Sequence, residues 1–553
     1  MYRRVVVTVF LGVLGLLTLS GCKLNSSPQI SVFSAFPSYG VAPTRVTFSL
    51  SVSDPDIDSG TLTCELDFGD GSQIQSFPCP SKPTVKHGYG AGNYTATLVA
   101  SDGNGGTSKA IRHINVSIPN YPSDACPRIS SSANSLGIDA KRSDNRRGMG
   151  EFSSALFVPG ELLVYRPGNL KMQSAQDLAL EKKLGLERLS TPAVSGWVHY
   201  RVPTGSEEEL AKQILNSGLG EYVQPNYRYK ILDVPNDPLY SNRQKTQYDF
   251  MHITQAWNEL PASPCRPIVG VIDTGVAYDH PDIEENIYYG YDLSDMDGDP
   301  YPSGDSPHGT MVASIFGAET NNNLGMASDS RGIAYIMPLK VFPNATSSTI
   351  ATAVNWARQH GVHMLNMSFC IQANDGTCAD LTDATIEDAL RDAYNDGIVS
   401  FAASGNYNDN FVGYPASSLY TIAVGATDND NPPNRADEGD WGAGNGSNYG
   451  SRLDVMAPGT EVLGAGIPDN SDPEPYMQGS GTSFASPYAA GVAALYISRY
   501  YATENDLPGP DLVRDCMRST AQDLGPAGVD DETGAGLVRA DQMLDTTNSL
   551  CYP

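Results

Sequence analysis

The sequence has little positive charge. Its 553 residues include 35 lysines and arginines against 63 aspartates and glutamates, so the formal net charge is −28 at pH 7. A surface this acidic repels nucleic-acid phosphates and anionic lipid headgroups, which argues against both as partners. The acidity favours a soluble, self-repelling chain, but it does not identify a substrate.

Long hydrophobic runs are also scarce. The apolar run from Val5 to Leu19 follows two arginines and is shorter than the ~20 apolar residues that a membrane-spanning helix needs. This pattern is typical of an export signal. Residues 19–22 resemble a bacterial lipobox, so we expect cleavage to leave Cys22 as the lipidated N-terminus that attaches the protein to a membrane. Lys23 then favours the outer membrane; an ordinary signal peptide with a coincidental cysteine is the alternative.

Cysteine is infrequent, and its spacing excludes one class of site. No Cys/His pattern has the spacing of zinc ligands, so we expect no zinc, and no motif calls for an organic cofactor. Of nine cysteines, eight remain once Cys22 is set aside, and an even number in an exported chain indicates disulfides. Sequence alone leaves the connectivity open, but nearness along the chain suggests the pairs Cys64–Cys79, Cys370–Cys378 and Cys516–Cys551, which leaves Cys126 with Cys265.

The clearest chemical signal lies at residues 481–487. Ser483 follows a glycine and precedes a run of small and apolar residues that reads as a helix. A serine at a helix N-terminus is exposed beside unpaired N–H groups that favour developing negative charge, as a nucleophile requires. The alternative is the start of an ordinary buried helix.

Two further stretches supply the partners that a serine nucleophile needs. Asp273 ends an apolar strand before a Gly turn, and His308 precedes a Gly and a helical run. A serine hydroxyl is activated when a histidine takes its proton, and a carboxylate orients that histidine. All three residue types are present, in the chain order Asp, His, Ser.

At this point the chain resembles the subtilisin family of serine endopeptidases. The resemblance covers about residues 237–545, and the motifs VIDTGV, HPD, HGT, NMS, AASGN, YPA, VGA, MAPG and GTSFASP follow in family order. It implies that Asp273 orients, that His308 acts as general base and then acid, and that Ser483 attacks the scissile carbonyl. It also implies that Asn406 and the backbone N–H of the nucleophile hold the oxyanion, although Asn406 alone could be a turn residue.

The same resemblance predicts how substrate binds. An extended peptide would pair with the cleft through main-chain hydrogen bonds, and its P1 side chain would enter a pocket. The implied pocket residues are Ser368, Phe369, Ala402, Ala403 and Ser404. Many relatives have glycines after the position of Phe369, where this chain has Cys370, so the resemblance does not determine the shape of the pocket. Tyr488 is a second departure from the family pattern, and it lies outside the triad.

Calcium is the cofactor that the resemblance implies, as a structural ion. Asp282 matches a family ligand, and residues 321–325 match the ligand-bearing loop, with Asn322 the best candidate and Gln244 a weaker one. Oxygen ligands of this kind suit Ca²⁺. The acidic run 295–299 could hold a second ion or be an exposed turn.

The chain is too long for one core, so we expect several domains. After the signal at 1–22, residues 28–118 alternate as short strands and resemble a PKD domain, a spacer or surface-binding module whose acidic turns are mainly structural. Residues 119–155 read as an exposed linker. Residues 156–233 follow a β-α-β pattern that predicts a ferredoxin-like fold and resembles an inhibitory propeptide, although a fixed domain is the alternative.

Residues 235–545 predict the catalytic domain, an α/β fold whose parallel sheet has helices on both faces. Near-continuous apolar strands alternate with helical segments, which is typical of a sheet buried on both sides. The expected strands are 268–273, 335–341, 362–367, 398–403 and 421–426. The expected helices are near 308–318, 349–360, 383–395 and 483–500.

These observations predict an exported serine endopeptidase that acts on extracellular or surface proteins and is made as an autoprocessed precursor. The alternative is a surface binding lipoprotein that uses the PKD-like domain and keeps an inactive protease scaffold. Cleavage near residues 230–237 would release the protease from its anchor unless a Cys126–Cys265 bridge retains it.

Overall fold

The structure is a computed structural model, and it describes most of the chain after the N-terminal segment. Described are residues 25–553 except 56–61, 80–82, 130–156, 166–174, 191–196, 218, 220–221, 228–233, 297, 305 and 470. Two units are separated by their contacts: one combines the residues up to 134 with those from 233 onward, and the other spans 135–232. The expected signal and Cys22 lie outside the described residues.

The N-terminal region is a β-sandwich, as the alternation of apolar and polar residues predicts. Its strands are β1 (Gln29–Phe36), β2 (Tyr39–Val41), β3 (Thr44–Ser53), β4 (Thr63–Asp67), β5 (Gln75–Pro78), β6 (Thr84–Tyr89), β7 (Gly92–Ser101) and β8 (Thr107–Ser117). One sheet has the order β1-β3-β6 and the other β2-β8-β7-β4-β5. Phe48 and Phe68 pack between them with ring centroids 5.7 Å apart.

The unit before the catalytic domain has a β-α-β-β-α-β order. It contains β9 (Phe157–Tyr165), α1 (Ala175–Leu184), β10 (Glu187–Ser190), β11 (Trp197–Arg201), α2 (Glu207–Ser217) and β12 (Tyr222–Tyr227). The sequence pattern did not predict one of these strands, β10. The antiparallel sheet order β10-β11-β9-β12 is that of a ferredoxin-like fold. Its core includes Leu162, Val164, Val198 and Ile214, all fully buried.

The catalytic region is built on a seven-stranded parallel sheet. Its strands are β13 (Ile268–Asp273), β14 (Tyr291–Asp292), β15 (Tyr335–Lys340), β16 (Met364–Met367), β17 (Val399–Ala403), β18 (Thr421–Thr427) and β19 (Val455–Pro458). In the sheet order β14-β15-β13-β16-β17-β18-β19, the chain places β14 and β15 on one side of β13 and then β16 to β19 on the other side. The strand order, not the strand direction, therefore reverses at β13. In such sheets the crevice at the reversal, beyond the carboxyl ends of the strands, is where ligands bind. A two-stranded sheet pairs β20 (Val462–Ala465) with β21 (Tyr476–Gly479).

Helices cover the sheet because its strands are apolar throughout. They are α3 (Tyr240–Arg243), α4 (Lys245–Met251), α5 (Ile253–Trp257), α6 (His308–Gly317), α7 (Ser347–Gln359), α8 (Ala384–Asn395), α9 (Glu438–Trp441), α10 (Thr482–Glu504), α11 (Pro510–Thr520) and α12 (Ala540–Met543). Helix α10 packs on β16 to β19 and on α6, and its small residues allow this close approach.

The catalytic strands and helices lie where the sequence predicts them, within a few residues. The four expected disulfides, Cys64–Cys79, Cys126–Cys265, Cys370–Cys378 and Cys516–Cys551, are all present, which confirms the three pairs suggested by nearness and the fourth that was left over. Part of the expected linker differs: residues 121–129 pack against the catalytic domain, with Cys126 fully buried. Within the described residues, no helix combines the length and the hydropathy that crossing a membrane would require.

Candidate active site

Asp273 ends β13 at the reversal of the sheet. Its carboxylate is buried, and Oδ1 lies 2.7 Å from His308 Nδ1 and accepts the N–H of Thr274 at 2.7 Å. The turn after β13 and the start of α6 interlock, since Thr274 Oγ1 accepts the N–H of Gly309 at 2.9 Å. Only a glycine fits at 309, because a Cβ there would collide with the carbonyl of Gly275. The HGT motif therefore positions the His308 imidazole within hydrogen-bond distance of the Asp273 carboxylate.

His308 begins α6 with its ring half-buried. Burial disfavours the imidazolium, but the charge of Asp273 and its hydrogen bond outweigh burial and raise the pKa of His308 above its ordinary value. Because Asp273 accepts at Nδ1, that nitrogen carries the proton in neutral His308, which leaves Nε2 able to accept one. The ring's other neighbour is Phe484, with centroids 5.7 Å apart.

Ser483 is the second residue of α10, and its side chain is nearly buried. Its Oγ donates to the carbonyl of Ser368 at 3.3 Å, so in this structure the hydroxyl is turned toward β16 and makes no hydrogen bond to His308. The first N–H groups of a helix lack partners within it, so the backbone around Ser483 is a donor surface. Phe484, the next residue in the chain, contacts the imidazole of His308 with ring centroids 5.7 Å apart.

Asn406 follows β17 and contacts the residue before the serine. Its Oδ1 accepts both the N–H and the Oγ1 hydroxyl of Thr482 at 2.8 Å. These two bonds orient the amide, and its Nδ2 makes no hydrogen bond to any residue that the structure describes. A Cβ on Gly481 would lie 3.3 Å from that Nδ2, so a glycine keeps the space beside it clear.

Sequence reasoning assigned no role to a buried network that joins β16 to α10. Asn366 Nδ2 donates to Ser368 Oγ at 2.9 Å, and Asn366 Oδ1 accepts from Ser486 Oγ at 2.7 Å. Ser368 Oγ in turn donates to the carbonyl of Ser483 at 2.8 Å. The network fixes the start of α10 against β16. The signal was the NMS motif, whose asparagine could have been given this structural role.

The expected pocket residues line two neighbouring strand ends. Ser368 and Phe369 follow β16, whereas Ala402 and Ala403 end β17 and Ser404 follows it; Met367 pairs with Ala402. The Cys370–Cys378 disulfide lies close to both strand ends. Cys370 Cβ is 3.1 Å from where a Cβ on Gly413 would be, and Cys378 Sγ is 3.1 Å from the corresponding point on Gly405. The disulfide therefore lies close to the residues that follow both strand ends.

The expected calcium residues lie at another place, around the buried Asp282. Its carboxylate accepts from Asn322 Nδ2 at 2.9 Å, from the N–H of Met326 at 3.0 Å and from the hydroxyl of Tyr476 at 3.0 Å. Burial raises the pKa of Asp282 to about 7, and the negative charge of Asp237 adds to the rise. Gln244 bonds instead to both backbone groups of Ala327, at 2.7 and 3.0 Å.

Asp237 is a residue that the sequence reasoning missed. It is buried, and its carboxylate accepts the N–H groups of Asn321 and Asn322 at 3.0 and 3.3 Å. Burial raises the pKa of Asp237. In the described part of the chain, neither Asp237 nor Asp282 has an ion pair, and no cluster of three or more His, Cys, Asp or Glu side chains is arranged as a metal site. Two buried carboxylates without cationic partners suit a cation that carbonyl and amide oxygens help to bind.

The second candidate calcium run, residues 295–299, is only partly described. Asp299 Oδ1 accepts the hydroxyl of Tyr278 at 2.8 Å and the N–H of Tyr301 at 3.1 Å. Asp297 lies outside the described residues. Tyr488, the other departure from the family pattern, is buried and packs edge-on against Tyr248 with centroids 6.2 Å apart.

Comparison with known proteins decides the family. Residues 266–536 match the subtilase family, and residues 30–115 match the PKD domain. A thermophilic serine proteinase of Bacillus sp. (strain AK1) is 33% identical over 355 residues, which cover 63% of this chain and 82% of that protein. The chain belongs to the subtilase family. This subtilase is a serine peptidase with an N-terminal PKD domain.

Two further relatives are similar to this subtilase. Thermitase of Thermoactinomyces vulgaris is 32% identical over 298 residues, covering 53% of this chain and 94% of thermitase. The halolysin-like extracellular serine protease Nep of Natrialba magadii is 33% identical over 386 residues, covering 68% of this chain and 65% of Nep. The matched region of thermitase therefore spans nearly the whole of that enzyme.

Proposed function

We propose that the subtilase is an endopeptidase that hydrolyses peptide bonds through Asp273, His308 and Ser483 and a covalent acyl-enzyme. The observation that carries the proposal is the buried carboxylate of Asp273 at 2.7 Å from Nδ1 of His308, and the same ring contacts Phe484, the residue after Ser483. Rotation of Ser483 about its Cα–Cβ bond would move Oγ from the carbonyl of Ser368 toward Nε2. His308 takes the proton as Oγ attacks and returns it to the leaving amine.

Asn406 is the proposed oxyanion donor, together with the backbone N–H of Ser483. Its Oδ1 is held by two donors from Thr482, so its Nδ2 is already oriented before substrate arrives. A donor fixed in advance requires little reorganisation when charge develops, which is why such groups stabilise the transition state strongly. Water then hydrolyses the acyl-enzyme with the same groups in reverse roles.

We propose that the Cys370–Cys378 disulfide makes the P1 pocket shallow. Cys370 directly follows Phe369, and Cys378 Sγ lies 3.1 Å from where a Cβ on Gly405, the residue after Ser404, would be, so the disulfide lies close to both expected pocket segments. Relatives with glycines there would have room for large P1 side chains. The substrates of this enzyme are therefore expected to carry small P1 residues.

Calcium is proposed as a structural ion held by Asp237, Asp282 and Asn322. The support is the pair of buried carboxylates with no ion pair in the described residues. When bound, calcium would neutralise these charges and fix the 321–327 loop; it has no part in the peptide chemistry. The 295–299 run is a weaker proposal, because Asp299 already bonds Tyr278.

The unit at 157–227 is proposed to be a propeptide that the enzyme removes itself. Its ferredoxin-like sheet and its place directly before the catalytic domain support this role. A folded unit of this kind can template a parallel sheet, which forms slowly because its contacts are far apart in sequence. Export is also proposed, with lipidation at Cys22 and retention at the cell surface, or secretion after cleavage. The name of the relative Nep, an extracellular protease, supports export.

One experiment tests the central proposal. Purified wild type and Ser483→Ala are compared by intact mass and by casein hydrolysis. We expect wild type to lose the region before about residue 237 and to digest casein, whereas the variant stays full length and inert. If wild type stays full length but digests casein, the propeptide role is wrong and the catalytic role stands. If Ser483→Ala digests casein, Ser483 is not the nucleophile.

A further inference from the structure

Residues 121–129, which we name the strap, connect the β-sandwich to the catalytic domain at the amino end of β13. Ala125 pairs with Arg266 in a parallel bridge. The N–H of Cys126 donates to the carbonyl of Arg266 at 3.0 Å, and the N–H of Arg266 donates to the carbonyl of Asp124 at 2.9 Å. The backbone of the strap is thus hydrogen-bonded to Arg266, which lies just before β13.

A buried histidine joins the strap to the catalytic strands. His363 Nδ1 accepts the N–H of Ile268 at 3.0 Å, so the ring proton is on Nε2, which donates to the carbonyl of Pro127 at 3.1 Å. Burial lowers the pKa of His363 to about 4, so the ring is neutral at physiological pH. These contacts are at the amino ends of β13 and β16. Asp273 and Ser368 are at the carboxyl ends, so the strap leaves the catalytic cleft uncovered.

The strap is also bonded covalently. Cys126 is fully buried and forms a disulfide with Cys265, 139 residues further along the chain. In the sequence, the whole ferredoxin-like unit lies between these two cysteines. A cut at any bond between residues 126 and 265 therefore leaves the two products joined through sulfur.

A separate contact holds the β-sandwich against the catalytic domain. The guanidinium of Arg45 lies 3.0 Å from the carboxylate of Asp279 and 3.4 Å from the ring centroid of Tyr301. Beside it, a Cβ on Gly90 would lie 2.9 Å from the carbonyl oxygen of Gly298, so the two backbones approach closely where glycines allow it. A paired cation stacked on an aromatic ring contributes more than an exposed ion pair.

We propose that the β-sandwich is a permanent part of the mature protease, retained through the strap and its Cys126–Cys265 disulfide when the chain between them is cut. The mature form is then a disulfide-linked two-chain enzyme that keeps whatever its N-terminal domain binds. The natural cut rests on the propeptide removal proposed above, but the retention itself does not depend on which protease makes the cut.

The test uses the full chain with Ser483→Ala, so that no self-cleavage occurs. A recognition sequence for a site-specific protease is inserted between Arg147 and Gly148, and the purified protein is cut to completion. Thiols are blocked with iodoacetamide, and the products are run on denaturing gels with and without reductant. The matched control carries Cys126→Ser and Cys265→Ser in the same background.

We expect one product without reductant and two with it, whereas the control gives two in both gels. Free N-terminal fragment in the nonreducing gel would overturn the proposal. Wild type that never cleaves itself, beside a cut Ser483→Ala protein that stays linked, would overturn the propeptide removal alone.

The docking contact is measured on the cut control, whose fragments are held only by noncovalent contacts. Arg45→Ala should weaken their association at least about tenfold, because the ion pair and the ring contact are both lost. Arg112→Ala is the comparison, since Arg112 lies on the same sandwich and its interactions in the described part of the chain are with Phe33 and the carbonyl of Ile111. Equal affinities for the two variants would contradict the docking.

Discussion

Replacing Asp273 with Asn tests how the buried carboxylate controls His308. In wild type, Asp273 Oδ1 accepts the proton of His308 Nδ1 at 2.7 Å, which leaves Nε2 free to take the proton of Ser483. An Asn amide can turn its NH₂ toward Nδ1, which moves the ring proton to Nε2 and blocks the base. We expect kcat/KM to fall about 10⁴-fold, equivalent to about 5.5 kcal/mol of transition-state stabilisation.

The same substitution should reverse the shift of the histidine pKa. Burial lowers the pKa of His308, and only the charge of Asp273 and its hydrogen bond raise it above the ordinary value. Without them burial alone remains, so the pKa of His308 should drop below that value. Because the neutral ring is the proposed base, wild-type activity should be lost as the pH falls through the raised pKa, and this acid limb should move to lower pH in Asp273→Asn.

Two assays follow these effects separately. Hydrolysis of a chromogenic peptide gives kcat/KM across pH for protein matured in trans by tagged wild type, which is then removed by its tag. NMR titration of the His308 ring is made in Ser483→Ala with and without Asp273→Asn, so both samples are inert. A loss of activity under tenfold, or a His308 pKa that stays raised in the double variant, would refute the reasoning.

Four other predictions concern the oxyanion, the pocket, the metal and the core. Asn406→Ala should lower kcat about 10²–10³-fold with little change in KM, since it removes a donor used only in the transition state; Asn406→Asp checks that a group of the same shape but without the NH₂ fails as well. Cys370→Ser with Cys378→Ser should shift a peptide-library profile toward larger P1 residues, and an unchanged profile would show that the disulfide does not shape the pocket. Removing calcium with a chelator should lower the Tm of wild type, and the loss should be smaller in Asp237→Asn, with magnesium as the comparison ion. Asp329→Asn should raise the Tm at pH 8 but not near pH 4. Burial raises the pKa of Asp329 well above its ordinary value, so the folded wild type loses stability as the pH rises above the pKa of Asp329 in the unfolded chain. The amide of the Asp329→Asn variant does not ionise, so the variant does not lose this stability.

Much of the catalytic fold could be predicted from local patterns. The six residues of β13 are all buried and all apolar or small up to the terminal Asp273, so their run was visible without any tertiary information. The short β19, β20 and β21 were not predicted, because strands of four residues lack a periodic signal of their own. The disulfides were predicted because exported cysteines pair, and nearness favoured the pairs that the fold then forms.

The candidate site was predicted less completely than the fold. The residue types at 273, 308 and 483 predict a serine nucleophile with its base, since few other roles place an acid, a histidine and a serine at turns beside glycines. Asp237 was missed because one acid in a short polar stretch has no distinguishing pattern until burial leaves it near Asp282. Gln244 was expected at the metal but bonds Ala327, a choice between partners that spacing cannot make.

The sequence by itself determined the chemistry of this protein and the order of its parts: strand and helix periods, motif spacing and cysteine parity are local properties of the chain. The tertiary structure alone decided that Arg45 meets Asp279, that the strap packs at the amino ends of β13 and β16, and that the Cys370–Cys378 disulfide lies close to Gly405 and Gly413. The physical reason is that these contacts depend on how folded surfaces fit together, and complementarity between segments far apart in sequence leaves no periodic trace in one sequence.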